Sequence, residues 1–376
     1  MTLRILIVAS EVPPLVSGVA RSVGDLADGL RQRGHTVDVL SAADAPYARR
    51  GDFRFSALGW RTPELRRRMA DYDIVNVHGP APTISEVFLL AFNPWRRSGN
   101  PAVVYTHHFT MEMPQRWLAP AVALYNRVLL RLARAADTVV VTSASYARIV
   151  SQAGISSGTV IPWGINGDRN GASSTEIDGS PELPPTAVCR DRADREPADR
   201  LRVLYVGQLR PYKGADVAVE AVGRLDGVTL KIIGSGPLAE RLGRQAADVP
   251  SGNVELLGFR PDEELRCWYR WADVVVLPST SRLEAFGIVL LEGMSAGCVP
   301  VASDLPGVRD LVATCGLVAT PGDADDLAWA LELLASQPEL LAHLSVAAVE
   351  RARSFTVDHT VDRYAELFER LDAARS

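Results

Sequence analysis

Short unbroken apolar runs recur along the chain, each closed by small or turn-forming residues and separated by longer amphipathic segments. Strands buried in a parallel sheet read as continuous Val/Ile/Leu runs, and helices covering both faces of the sheet supply the alternation. The first set of runs predicts strands at Leu3 to Ser10, Thr36 to Ser41, Asp73 to His78, Ala102 to His108, Thr138 to Ser143 and Thr159 to Pro162. Helical periodicity lies between several of them, including Ala20 to Arg33, stopped by Gly34, and Trp117 to Ala136. From Asn166 to Arg200 the pattern gives way to turn formers and a charged run, which reads as a linker. A second set follows at Arg202 to Val206, Thr229 to Gly234, Asn253 to Leu257, Val274 to Leu277, Val299 to Ser303 and Gly316 to Ala319, and the chain closes with helices at Asp323 to Arg353 and Val357 to Ala374. The predicted fold is α/β, with two doubly wound, Rossmann-like domains at 1–165 and 201–355, a linker at 166–200, and a ligand site at the strand C-termini in the crevice between them.

The stretch Arg282 to Ser303 organises the second domain. A helix starting near Gly287 leaves Glu284 in the preceding loop and puts Glu292 roughly 7.5 Å further along the axis at about 1.5 Å per residue. Apolar side chains all round this helix mark it as buried, so a glutamate within it needs a partner. The free amides of Phe286, Gly287 and Ile288 at the helix start suit an anion. A bland reading competes, in which Glu292 caps a loop or pairs with a structural arginine.

The loop after the first strand of this domain is G-Q-L-R-P-Y-K-G. The chain has 38 Arg and two Lys, and Lys213 sits in this glycine-bounded turn beside Arg210, a pairing that could clamp a diphosphate. The next strand ends in G-S-G-P-L-A from Gly234, but Glu255, the acidic residue a dinucleotide fold would place at a strand end, starts its strand instead. NAD binding is rejected, and a glycine turn where backbone approaches a ligand is kept. In the first domain, His107 and His108 reach a strand's C-terminal edge, where alternation lets one of them face the crevice, whereas His78, a lone histidine ending an earlier strand, reads as structural.

Composition then narrows the classes. At 376 residues and 47% hydrophobic, each domain can build a core. Four cysteines lack ligand spacing and imply neither zinc nor a disulfide framework. Asp71 and Asp73 precede their strand, so no metal is assigned, and G-M-S-A-G at Gly293 to Gly297 precedes a strand where a hydrolase elbow would need a helix. No leader pattern or membrane-length apolar run occurs, so the sequence reads as cytoplasmic. Residues 1–170 hold 19 Arg against 13 Asp and Glu, and the remainder 21 basic against 32 acidic. The Arg66 to Arg68, Arg96, Arg97, Arg116, Arg127, Arg131 and Arg134 set lies near Trp95, Trp117 and Tyr125. That allows peripheral contact with an anionic inner membrane face, although solvated helix faces are the simpler explanation.

These segments resemble glycosyltransferase family 4, a retaining family of GT-B architecture. The resemblance rests on E-x7-E (Glu284, Glu292), the following G-C-V-P-V-A-S, the preceding G-S-G-P, L-G-F and A-D-V-V-V-L-P-S, the Lys213 loop, and T-H-H-F-T-M-E. Gln208 stands where the family's loop has Arg, Ser17-Gly18 where it has Gly-Gly, and Thr110 where it has Asp. The resemblance implies that Arg210 and Lys213 neutralise the leaving diphosphate and that Glu292 accepts hydrogen bonds from the ribose. Glu284 holds the sugar with the amides of Phe286, Gly287 and Ile288, and His108 contacts the sugar near its reacting carbon. Phe259 and Arg260 flank the base, protein backbone comes close to phosphate or acceptor at Gly18 and to a ligand at Gly234, and the helix at 356–376 crosses back onto the first domain.

The expected activity is transfer of a hexose from a UDP-sugar, or a GDP-sugar, to a hydroxyl acceptor such as a lipid-linked saccharide, a cyclitol or a natural-product scaffold. Neither metal nor cofactor is expected, since the nucleotide sugar is a substrate, and no nucleic acid partner is expected. The alternative is a nucleotide-sugar epimerase on the same fold, and a non-catalytic binding module ranks last because the carboxylate pair is intact.

Overall fold

The computed structural model describes residues 2–12, 17–45, 47–50, 53–56, 71–92, 101–113, 115–155, 158–166, 200–250 and 252–375. They divide into two compact units, Met1–Gly164 with Val357–Ser376, and Ile165–Thr356.

The first unit contains β1 (Arg4–Ala9), α1 (Gly18–Gln32), β2 (Thr36–Ser41), the antiparallel hairpin β3 (Tyr47–Arg50) and β4 (Phe53–Ser56), β5 (Ile74–Gly79), α2 (Ser85–Phe92) and β6 (Ala102–His107). It continues with α3 (Ala119–Ala133), β7 (Thr138–Val141), α4 (Ala144–Gln152) and β8 (Gly158–Val160). Six strands pair in parallel in the order β2-β1-β5-β6-β7-β8. Ser17 caps α1 by accepting from the Ala20 amide at 3.1 Å, and Ala20, Val23, Leu26, Ala27 and Leu30 form its buried stripe. The chain's last helix packs on α1: a Cβ on Gly29 would lie 2.5 Å from Val361 Cγ2, and Arg33 Nε donates to Asp362 Oδ1 at 2.6 Å.

The second unit contains β9 (Leu201–Val206), α5 (Ala215–Val222), β10 (Val228–Ile233), α6 (Ala239–Ala247), β11 (Val254–Gly258), α7 (Asp262–Trp271), β12 (Val274–Leu277) and α8 (Ile288–Ser295). There follow β13 (Val299–Ser303), α9 (Val308–Val312), β14 (Leu317–Ala319), α10 (Ala324–Ser336) and α11 (Pro338–Ala352), with the final helix α12 (Val357–Ala373) returning to the first unit. Its parallel order is β11-β10-β9-β12-β13-β14. Leu201, Val203, Tyr205, Leu230, Val274 and Val276 from the sheet join Val219, Leu327 and Leu331 from the helices in one core. The order reverses between β9 and β12, so the loops leaving these two strands open beside each other at the switch point.

Several expectations change. The hairpin β3–β4 has no counterpart in the predicted strands, because its short, arginine-rich runs give no apolar signal. The helix predicted across Asp323 to Arg353 is two helices, with Pro338 opening the second where a proline nitrogen needs no acceptor. Asp73 is structural: its Oδ2 accepts from the Arg4 amide at 2.7 Å. Cys298 and Cys315 are buried free thiols, whereas Cys267 is disulfide-bonded, a bridge the cysteine spacing did not predict. Of the arginine set, Arg66, Arg67, Arg68, Arg96 and Arg97 lie outside the described residues, as do Trp95, the Arg116 side chain and most of the 166–200 linker.

Candidate active site

In the second unit the two loops at the switch point meet through side chains. Lys213 ends the turn Pro211–Lys213 after β9, and its Nζ donates to Glu284 Oε2 at 2.5 Å. Glu284 lies between β12 and α8, is 8% exposed, and its amide donates to the Ser281 carbonyl at 3.1 Å. Burial lowers the Lys213 pKa, but the adjacent Glu284 carboxylate and Tyr212 outweigh it and raise it overall, so the ammonium stays charged. One of its three donors is spent on Glu284, which leaves the others for a ligand.

The turn's backbone explains its glycines. Gly214 is left-handed at φ 69°, and a Cβ there would lie 1.9 Å from the Pro278 carbonyl oxygen, so this glycine lets the β9 and β12 loops touch. Gly214→Ala is expected to destabilise the protein by about 2 kcal/mol, read by chemical denaturation, because it combines a disfavoured φ with a backbone clash. Gly234 plays the same part on the other side: at φ 150° its Cβ would sit 1.9 Å from the Gly207 carbonyl oxygen. The close approach expected at the G-S-G-P turn is therefore, first, that of protein backbone.

Arg210 and Gln208 act together, with Arg210 Nε donating to Gln208 Oε1 at 2.7 Å. Gln208 thus orients the Arg210 guanidinium. Glu292, inside α8, accepts from the Tyr269 hydroxyl at 2.8 Å. That bond gives a carboxylate set in an apolar helix a neutral hydrogen-bond donor. Gly287, at φ 85°, precedes α8, and Phe286 is buried against Phe355 with ring centroids 6.1 Å apart. The amides of Phe286, Gly287 and Ile288 have no acceptor among the described residues. Phe259 and Arg260 follow the edge strand β11. Phe259 is 60% exposed, and Arg260 pairs with Glu264 at 3.3 Å. In the G-M-S-A-G segment, rejected as a hydrolase elbow, Ser295 Oγ donates to the Glu292 carbonyl inside α8 at 2.8 Å.

In the first unit Gly18 is the first residue of α1. His108 follows β6, buried, with its ring stacked on Trp163 at 5.5 Å and 9°. Its Nε2 lies 2.9 Å from His78 Nδ1. His107 packs between Tyr105 and Tyr146. Burial lowers the His107 pKa to about 4 and, with a contribution from His107, the His108 pKa to about 3. Both rings are therefore neutral at physiological pH. The sequence reading set His78 aside and overlooked Trp163. The available signal was the pairing of β5 with β6, which stacks the ends of two histidine-bearing strands side by side. Among the described residues no three His, Cys, Asp or Glu side chains gather as a metal site, and no helix is long and apolar enough to cross a membrane.

Residues 16–169 match the family described as Glycosyltransferase Family 4, and residues 190–351 match Glycosyl transferases group 1. D-rhamnosyltransferase WbpZ of Pseudomonas aeruginosa is 30% identical over 294 residues, covering 77% of this chain and 71% of that protein. The chain belongs to glycosyltransferase family 4. Within this family it is also 30% identical, over 229 residues, to the D-inositol 3-phosphate glycosyltransferase of Thermomonospora curvata. That match covers 55% of this chain and about half (52%) of its relative's length. Two solved structures share the fold at low identity. Sucrose-phosphate synthase from Thermosynechococcus elongatus has a TM-score of 0.75 at 21% identity, covering 99% of this chain and all of the other. Anabaena HepE in complex with UDP has a TM-score of 0.72 at 20% identity, covering 98% and 100%. The family-4 chain thus has the GT-B fold of two parallel-sheet α/β domains, and its relatives are glycosyltransferases, which weighs against the epimerase alternative.

Proposed function

We propose that the protein transfers a hexose from UDP-sugar to a hydroxyl acceptor, with retention and without a metal. The observation that carries this reading is the Lys213–Glu284 contact at the switch point, a charged donor and a carboxylate fixed together where a parallel sheet presents its ligands. As the anomeric C–O bond to the diphosphate breaks, negative charge grows on the leaving oxygens. Lys213, kept protonated by Glu284, and Arg210, oriented by Gln208, are placed to neutralise it. Glu284 Oε2 is taken up by Lys213, so its second oxygen accepts from a sugar hydroxyl while the amides of Phe286, Gly287 and Ile288 donate. Glu292 receives the ribose hydroxyls beside Tyr269, Phe259 and Arg260 flank the base, Gly18 and Gly234 border the donor, and His108 contacts the sugar. The new C–O bond forms on the face the diphosphate leaves, and the diphosphate oxygen takes the acceptor's proton. A uridine base is supported by the UDP held by HepE, and a cyclitol acceptor by the inositol phosphate in the name of the Thermomonospora curvata relative.

A ligand that binds only the folded state raises its melting temperature, by about 2.7 kcal/mol of stabilisation at a hundredfold excess over Kd. UDP is expected to raise it by about 5 °C or more and GDP and ADP by far less. A shift with GDP alone would replace the base, and no shift with any of the three would remove the donor site.

We also propose peripheral attachment to an anionic inner leaflet through α3. Residues 113–136 hold four arginines and no acidic residue. Trp117, Leu124 and Val128 are exposed at 76%, 60% and 45%, alongside exposed Arg127 and Arg131. An apolar stripe edged by cations is how an interfacial helix meets acidic lipid. Co-sedimentation with phosphatidylglycerol vesicles should be strong at low salt, weaken at high salt and drop in Leu124→Ser; absence of binding at low salt would end this proposal.

A further inference from the structure

Behind His108 lies a buried file of polar groups that the proposed reaction does not use. The Tyr364 hydroxyl, on α12, is 3.1 Å from Thr106 Oγ1, on β6. Thr106 Oγ1 donates to Asn76 Oδ1, on β5, at 2.9 Å. Asn76 Nδ2 is 2.9 Å from His78 Nε2, and His78 Nδ1 is 2.9 Å from His108 Nε2. Asn76, His78 and Thr106 are each at most 1% exposed.

With the Asn76 oxygen facing Thr106 and its nitrogen facing His78, donor counting gives the file one direction. A hydroxyl has a single proton, and Thr106 gives its own to Asn76, so it accepts from Tyr364. The Asn76 oxygen is thereby taken, and its amide nitrogen, which can only donate, meets His78 Nε2 as a lone pair. A neutral His78 then carries its proton on Nδ1 and donates it to His108 Nε2. His108 in turn carries its proton on Nδ1. Burial holds both rings neutral, His78 well below its ordinary pKa, so neither escapes this constraint by taking a second proton near pH 7. Trp163, stacked on His108, fixes the plane of the ring.

We propose that His78, set by Asn76, Thr106 and Tyr364, is a positioning residue that locks His108 in the Nδ1–H tautomer, so that His108 offers a hydrogen-bond donor, not a lone pair, to an oxygen of the bound sugar. The sugar as recipient rests on the role of His108 proposed above, while the tautomer rests on the orientation of the Asn76 carboxamide between Thr106 and His78. A histidine whose proton position is chosen by its second hydrogen bond is a familiar device for orienting a reactive ring. Here the choice is made four groups away and transmitted through two adjacent strands and the terminal helix.

The test is a long-range 1H–15N correlation spectrum of 15N-histidine-labelled protein at pH 7.5, with the six histidines assigned by single substitution. His108 should show a protonated Nδ1 and an unprotonated Nε2, with the same pattern at His78. Thr106→Val, which keeps the shape and removes the donor to Asn76, should move both rings toward averaged shifts and lower kcat several-fold with little change in UDP affinity. Thr106→Ser should restore both. A protonated Nε2 on His108, or wild-type shifts in Thr106→Val, would overturn the proposal. If Thr106→Val fails to fold, the wild-type spectrum still decides the tautomer. Unchanged transfer in His108→Ala would instead remove the sugar contact and leave the tautomer assignment intact, so the two failures are distinguishable.

Discussion

Replacing Lys213 by methionine is expected to lower the rate of sugar transfer about a hundred- to a thousand-fold, the range typical for losing one group that stabilises developing negative charge. The loss should fall mainly on kcat, because charge on the diphosphate is greatest as the glycosidic bond breaks. Lys213→Met also leaves Glu284, 8% exposed, without its cation, and an unpaired buried carboxylate costs about 1–3 kcal/mol or more. The double variant Lys213→Met/Glu284→Gln separates the two effects. It removes the stranded charge and should recover most of the stability, read by urea denaturation, while transfer stays lost. Recovery of activity together with stability would mean that the pair only braces two loops.

Acid should unfold the first unit before the reaction chemistry is affected. His107 and His108 titrate near 4 and 3 in the folded protein against an ordinary value of 6.5, and His78 is shifted the same way. The unfolded chain binds these protons more readily, so their contribution to stability is fully present above pH 6.5 and is lost as pH falls toward 3 to 4. Between pH 6.5 and 5, His107 and His108 each cost about 2 kcal/mol of stability, from roughly 1.4 kcal/mol per pH unit per proton. Hydrogen exchange of the β5 and β6 amides should accelerate over this interval, and His107→Phe should flatten part of the slope. Exchange independent of pH, after correction for intrinsic chemistry, would contradict the burial of neutral imidazoles. Transfer itself should show no histidine inflection between pH 6.5 and 8 from this cluster.

Much of this architecture is visible in the apolar runs. A buried parallel strand has nowhere to put a polar side chain, so Val274 to Leu277 and Val299 to Ser303 read directly as strands, and the glycine before Ile288 marks the start of α8. The hairpin at Tyr47 to Ser56 was not visible, because a two-stranded ribbon lacks a continuous buried face to impose a pattern. Lys213 and Glu284 each stood out alone. Their contact, 71 positions apart, depends on the reversal of strand order between β9 and β12, which no local pattern encodes. Gly234 was read as room for a ligand, whereas its neighbour is the Gly207 carbonyl. His78 was set aside because a single histidine on a strand carries no signal. Its meaning comes from His108 on the next strand and from Asn76 two residues back, which alternation places on the same face of the sheet.

In the proposed function the loop carrying Lys213 grips the diphosphate of the donor. Isothermal titration of UDP into the wild-type protein and into Lys213→Met, at matched salt, tests it without an acceptor or any assumption about rate. Measurable binding to the wild type and at least a tenfold weaker Kd in the variant, about 1.4 kcal/mol or more, are expected. Equal affinities in the two proteins would contradict that grip.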